Sequence, residues 1–457
     1  MTIWIPTLED DTPRYRAIAD AIASDVAEGR LQPGDRLPTH RELAHALGVT
    51  VGTVSRGYAE AERRGLTTGE VGRGTYVRGA TSLDPWPEQP TESEIVDLTL
   101  SLPVSIPEEA TALAETLRQI AGDARIGELL AYHPESADCR QRAAAAKWLG
   151  RLGLNTGADD ILVTAGSQHG LTVALSTLFA PGQVVLTGEL TYPSIKSQAR
   201  THGVRLRGVA LDDQGICPDA VERACRMEPK PAGLYLVPTL QNPTSGILSE
   251  ARRRALGRIA EKHDLWIVED DVHAFLLPDL PAPIATYAPE RTLYLSSVAK
   301  CLAPGLRTGF IVAPPALRAR LLTGIHTTMW MPPPLMVEVT TRWFVDGTAD
   351  RLIAAKRAET ERRQQLAQQI LARHAHRCHP LGYQIWLELP EPWHTDEFVT
   401  QARKRSVIVI GAGAFSVSRR HVPHAVRLSI GVPSRPALER GLKVLDDILR
   451  AQAPPLY

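Results

Sequence analysis

Residues 292–310 read TLYLSSVAKCLAPGLRTGF. An apolar run leads into a single lysine, Lys300, in an otherwise apolar stretch, with Arg307 seven residues further on. A lysine so placed either snorkels its ammonium to water or is held there for its chemistry. Upstream, LWIVEDDVHAF (265–275) ends a second apolar run in Asp270 and Asp271, and LYLVPTLQNPTSG (234–246) ends a third in Asn242-Pro243. Paired acids after an apolar strand are costly to bury unless something cationic meets them.

The runs ILVTAG (161–166), QVVLTGE (183–189), GLYLVPT (233–239), LWIVEDD (265–271), TLYLSS (292–297) and GFIVAP (309–314) alternate with helical stretches such as SEARRRALGRIAEKHD (249–264). That alternation predicts an α/β domain, a largely parallel sheet with helices on both faces and ligands at the strand ends. The large lobe is expected to run to about residue 330. From about residue 370, YQIWLEL, SVIVIG and VRLSI interleave with helical segments and predict a smaller α+β lobe.

The front of the chain reads differently. Ile18, Ile22 and Val26 recur every four residues, the stripe of an amphipathic helix that Gly29 ends. After a Pro33-Gly34 turn, Thr39-His40-Arg41-Glu42 fits a capping box that opens a second helix, ending at Gly48. Thr50 and Thr53 open a third helix through about Arg64, with Val54, Tyr58 and Ala61 on one face. Two helices joined by a tight glycine-containing turn read as helix-turn-helix. LTTGEVGRGTYV (66–77) then reads as a two-stranded wing. The expected division is an α+β DNA-binding unit over 12–80, a linker over 81–96 with Pro85, Pro87 and Pro90, and a large unit over 97–457.

Composition alone conceals this. Lys plus Arg and Asp plus Glu are 51 each, so the net charge is zero and gives no sign of nucleic acid, acidic substrate or membrane. Between Arg30 and Arg78, however, eight arginines face five acids. The five cysteines form no close pair, and no His/Cys/Asp cluster has metal-ligand spacing, so no metal is expected. No window approaches the roughly 18 apolar residues of a membrane span, and the amino terminus lacks a basic start followed by an apolar stretch. The chain reads as soluble and cytoplasmic.

Over residues 12 to 80, PGDRLPTHRELAHALGVTVGTV, RGYAEAERRGL and GRGTYV resemble, in order and spacing, the winged helix-turn-helix of the GntR family of bacterial regulators. The resemblance implies DNA contact by Arg41, Thr50, Thr53, Arg56 and Arg73. Arginines suit phosphates and guanine edges, and threonines at a helix start suit phosphate oxygens. Where that family often has an arginine after the position of Thr50, this chain has Val51.

From about residue 97 onward the chain resembles the fold-type-I aminotransferases that use pyridoxal 5'-phosphate. The resemblance implies that Lys300 forms the Schiff base with the cofactor and that Asp270 pairs with its ring nitrogen. Asn242 would hydrogen-bond the ring hydroxyl, with His273 standing where a tyrosine usually makes the second contact. Tyr192 would stack on the ring. Ser167, Gln168, Ser297 and Arg307 would hold the phosphate, and Arg427 would take a ligand carboxylate as a bidentate fork. Tyr132 matches a tyrosine that reaches the phosphate of a partner subunit. Ser136 and Ala137 stand where the family usually carries a glycine.

Winged helix, linker and aminotransferase-like domain together resemble the MocR family of transcription regulators. That resemblance implies a regulator sensing pyridoxal phosphate, an amino compound or both. It implies an operator on double-stranded DNA and a head-to-tail homodimer, placed on the nucleoid when bound. The alternative is an active aminotransferase, converting an amino acid to a 2-oxo acid, with an accessory winged helix. His273 and the missing glycine point away from a physiological enzyme and leave residual transaminase chemistry open.

Overall fold

The computed structural model describes residues 4–6, 8, 13–28, 30–32, 34–63, 66–70, 74–77, 95–418 and 422–451. The chain divides into two compact units, Met1–Ser93 and Glu94–Tyr457. The expected linker falls almost wholly outside the described residues, as does Arg73.

In the small unit, helix α1 (Arg14–Ala27), helix α2 (His40–Leu47) and helix α3 (Val51–Arg63) precede an antiparallel pair, Thr67–Glu70 with Gly74–Val77. Thr39 and Glu42 form the reciprocal capping box, and Gly48 closes α2 in the left-handed region at φ 64°. Ile18, Ile22, Leu43, Val54, Tyr58 and Ala61 form one core, closed by Val77 of the second strand. The apolar stripes read from the sequence thus meet.

The large unit holds a seven-stranded sheet in the order Ile161–Thr164, Gly309–Val312, Thr292–Ser297, Trp266–Asp270, Pro231–Leu236, Val184–Gly188 and Arg205–Val209. Gly309–Val312 runs antiparallel to both neighbours and every other pairing between adjacent central strands is parallel, so the sheet is mixed. The six apolar runs are six of these strands. The seventh, RLRGV at 205–209, lies at the sheet edge and is largely half-exposed, so it carries no continuous apolar signal.

A close approach near the end of the first strand explains one glycine. A Cβ at Gly309 would sit 2.6 Å from the carbonyl carbon of Gly166 and 2.8 Å from its Cα, backbone that cannot swing away. Gly309→Ala is therefore expected to lower stability by about 3 kcal/mol. A thermal melt of the variant matching wild type would refute this.

The small lobe is a four-stranded antiparallel sheet, His376–Cys378, Gln384–Glu388, Ala425–Ser429 and Ile410–Gly411 in that order. It shares a core with the helices Thr348–Leu371, Thr395–Lys404 and Arg435–Arg450 through Ala367, Phe398, Val426, Leu438 and Leu442. The strand Val96–Asp97 pairs in parallel with Val407–Ile408. The segment after it supplies the carbonyls of Thr99 and Ser101 to Arg427 and Lys300.

Candidate functional site

Asp270 is the last residue of its strand, and Lys300 lies three residues beyond the end of the neighbouring one. Tyr235, from the next strand, donates to Asp270 Oδ2 at 2.9 Å, while Oδ1 is buried without a partner. Burial, reinforced by Asp271, pushes the Asp270 carboxyl up to about 7. A buried carboxylate with one unpaired oxygen asks for a cationic donor. Lys300 donates from Nζ to the Ser101 carbonyl. Burial, with help from the Arg427 and Arg307 charges and against the pull of Asp270, brings its ammonium down to about 8. An amine so tuned has a sizeable neutral, nucleophilic fraction near neutral pH.

His273 is buried nearby, its Nδ1 without a partner, and burial together with Lys300 takes it down to about 3, so the imidazole is neutral. Asn242 Oδ1 accepts from Arg427 Nη1 at 3.1 Å. With the amide oxygen engaged, its NH2 is left as a donor. Arg427 lies 4.9 Å over the Phe415 ring, donates from Nη2 to the Thr99 carbonyl, and keeps a buried Nε without a partner. Its burial lowers it to about 10. Buried Asn242, Asp270, His273 and Arg427 and the partly buried Lys300 thus form one cluster of unequal charges.

An uncapped helix start with a guanidinium against it lies at the end of the first strand. Gly166, at φ 82°, starts the helix Ser167–Leu178 without any capping side chain, which leaves first-turn amides available. A Cβ on Gly166 would fall 2.8 Å from Arg307 Nη2, so the guanidinium sits against the turn, where Nη2 donates to the Ala165 carbonyl at 3.0 Å. Ser167 and Gln168 are the first two residues of that helix. Gln168 donates to the Tyr192 hydroxyl, which ties the helix start to the candidate stacking ring. Ser297 faces inward instead: its hydroxyl donates to the Thr308 carbonyl at 3.0 Å and accepts from the Ala299 amide at 3.1 Å.

Tyr132 stands apart from this group, 75% exposed, with its ring edge-on to Trp330 at 5.7 Å. Ser136 adopts φ 67°, the left-handed region that glycine favours, and its hydroxyl accepts from the Val163 amide at 3.0 Å. The serine keeps a glycine-like backbone. Sequence reasoning missed Tyr235, Phe415 and the carbonyls of Thr99 and Ser101. Each is an ordinary core or backbone group whose role comes only from juxtaposition.

In the small unit, Arg41, Thr50 and Arg56 are exposed and Thr53 half-exposed. Thr50 Oγ1 accepts from the Thr53 amide at 3.1 Å and pairs with its hydroxyl at 2.9 Å, so the two cap the start of α3. Arg56 lies 4.6 Å over the Tyr15 ring. Val51, also exposed, offers an apolar side chain at the first position of the helix.

Fold and site together define an aminotransferase-type domain behind a helix-turn-helix unit. Residues 108–445 match the family described as aminotransferase class I and II, and residues 14–77 match the bacterial regulatory proteins of the gntR family. An uncharacterised HTH-type transcriptional regulator of Bacillus subtilis, YdeF, is 30% identical over 450 residues, 98% of this chain and 96% of its own length. The HTH-type pyridoxine biosynthesis transcriptional regulator PdxR of Corynebacterium glutamicum is 29% identical over 327 residues, 69% of each chain. Among solved structures, LysN, the α-aminoadipate aminotransferase of Thermus thermophilus in complex with N-(5'-phosphopyridoxyl)-L-leucine, has 26% identity. It covers 78% of this chain and 92% of its own, with a TM-score of 0.69. The chain belongs to the aminotransferase class I and II family and, with its gntR-type unit, to the MocR type of transcription regulator.

Proposed function

We propose that this protein is a cytoplasmic, DNA-binding transcription regulator whose large unit binds pyridoxal phosphate and an amino-compound effector. The observation that carries the reading is the unpaired, buried Oδ1 of Asp270, set in one cluster with Lys300 and Arg427 behind a gntR-type unit. The donor set fits the cofactor. Asp270 would meet its ring nitrogen, the Asn242 amide its phenolic oxygen, the helix start at Ser167–Gln168 with Arg307 its phosphate, and Lys300 its aldehyde. When bound, the cofactor supplies that aldehyde and an electron-withdrawing ring. Arg427, near Lys300 and with an unused Nε, would orient an effector carboxylate. Such an effector acts only by binding two states of the large unit unequally. In this reading Tyr132, exposed in the single chain, would complete the phosphate site of the partner in a head-to-tail homodimer.

The regulator reading is favoured over an active aminotransferase by coverage. The regulator YdeF matches 98% of the chain, whereas the aminotransferase LysN covers 78%.

A footprint on the DNA flanking the gene, with and without pyridoxal phosphate, tests the proposal. Protection of a paired site that changes with the cofactor is expected, and no protection under either condition would sink it. The double variant Arg41→Ala/Arg56→Ala is expected to weaken operator binding by about 100-fold, at roughly 1–3 kcal/mol per arginine. The slope of log affinity on log salt should also become shallower, by about one unit for each arginine–phosphate pair removed. Unchanged affinity and slope would remove these arginines from the interface.

A further inference from the structure

Tyr383 and Gln384 lie at the start of the small-lobe strand Gln384–Glu388, and both are buried. Tyr383 donates from its hydroxyl to the backbone carbonyl of Lys300 at 2.9 Å. Gln384 donates from its side-chain amide to the carbonyls of Leu240 and Gln241, at 3.3 and 2.8 Å, the two residues before Asn242. On the same strand, Trp386 stands opposite Arg427. One short stretch of the small lobe therefore grips the main chain of the candidate cofactor lysine and of the segment carrying Asn242, and is in register with the candidate effector arginine.

A buried tyrosine needs a partner for its hydroxyl, and any nearby carbonyl would serve stability. Here the partner is the main chain of Lys300, in the other lobe. The grip is anchored from behind by the helix Thr348–Leu371. Gln364 donates to the Gly382 carbonyl at 2.6 Å, next to Tyr383 in the chain. Arg363, on the same helix, donates to the Ile430 carbonyl at 2.8 Å, three residues past Arg427. Arg363 and Gln364 are neighbours on that helix, so the Tyr383 and Arg427 segments are held to a single rigid element.

We infer that Tyr383 is a positioning residue for Lys300. Its hydroxyl holds the lysine's backbone to the small lobe, and with Gln384 it transmits displacement of that lobe to the lysine and to Asn242. A ligand engaging Arg427 would be felt at Lys300 through this path. The inference rests on the reading of Lys300 as the cofactor lysine.

The test is Tyr383→Phe in the full chain, loaded with pyridoxal phosphate and followed by the visible absorption of the lysine-bound cofactor. Thr116→Val serves as control, because it removes the hydroxyl that accepts from the Trp343 indole at 2.8 Å, a buried hydrogen bond of similar worth that involves neither Lys300 nor the segment carrying Asn242. Both variants are expected to lower the melting temperature. Only Tyr383→Phe should reduce cofactor affinity, by about fivefold, and move the pH midpoint of the visible band by about half a unit. Gln384→Leu, which removes the amide that holds the Leu240 and Gln241 carbonyls, tests the same grip if the first variant is insoluble. A coloured wild type with Tyr383→Phe and Gln384→Leu unshifted in midpoint and affinity overturns the inference alone. A colourless wild type overturns the cofactor reading and the inference with it.

Discussion

Lys300→Ala is expected to be colourless in the presence of pyridoxal phosphate, where wild type shows a visible band, and to bind the cofactor at least 100-fold more weakly. The covalent capture is lost outright, while the phosphate cradle and Asp270 remain to hold the cofactor non-covalently. The pH dependence of wild type adds a second expectation. Burial and the Arg427 charge hold the Lys300 ammonium down to about 8, and the amine must be neutral to attack. Capture should therefore weaken as pH falls through about 8, approaching tenfold per unit below it. Asp270 acts in the same sense, because its carboxyl at about 7 must be ionised to meet a protonated ring. A spectrophotometric titration between pH 6 and 9 checks this, and affinity flat over that range would contradict it. Equal colour in wild type and Lys300→Ala would end the cofactor reading altogether.

Asp270→Asn is expected to separate stability from function. In the unliganded protein a buried carboxylate with one unpaired oxygen is a cost: its folded value of about 7 lies well above the unfolded 3.8. For an acid with a raised folded value, the penalty is fully present above about pH 7 and is relieved as pH falls through 7 toward the unfolded value. At pH 8 the asparagine variant, which carries no charge to bury and still accepts from Tyr235, should be more stable without cofactor, by on the order of 2–4 kcal/mol. At pH 4 the gain should largely vanish. With cofactor the sign reverses: loss of the charge-assisted bond is expected to cost about 100-fold in affinity. Thermal melts at the two pH values, with and without pyridoxal phosphate, check all four outcomes. A variant that binds cofactor as tightly as wild type would remove Asp270 from the ring-nitrogen role.

Much of this organisation is legible in the residues alone, for definite reasons. The capping box Thr39–Glu42 is local chemistry, and the structure shows both of its hydrogen bonds. Ile18, Val54 and Tyr58 can be assigned to a core because helical periodicity alone decides which side chains share a face. Asp270 and Lys300 follow long apolar strands, where a charge is too costly to stand without purpose. The edge strand Arg205–Val209 is not legible, since a strand half in water needs no apolar run. Nor is the antiparallel direction of Gly309–Val312, which depends on which neighbours it meets and not on its own residues. Ser136 shows the same limit at one residue. Its departure from glycine is plain in the sequence, whereas its left-handed backbone and its bond to the Val163 amide are properties of the packed site.

The sequence by itself determined the two-unit plan, the helix-turn-helix and the identities of the titratable groups, because these follow from periodicity, capping and the penalty for burying charge. Only the tertiary structure decided what each group can do. The unpaired Oδ1 of Asp270, the turning of Asn242's amide by Arg427, the inward bonds of Ser297 and the hold of Tyr383 on Lys300 all arise between residues far apart in the chain. Hydrogen bonds and desolvation act over a few ångströms in space, and that proximity is set by how the lobes pack.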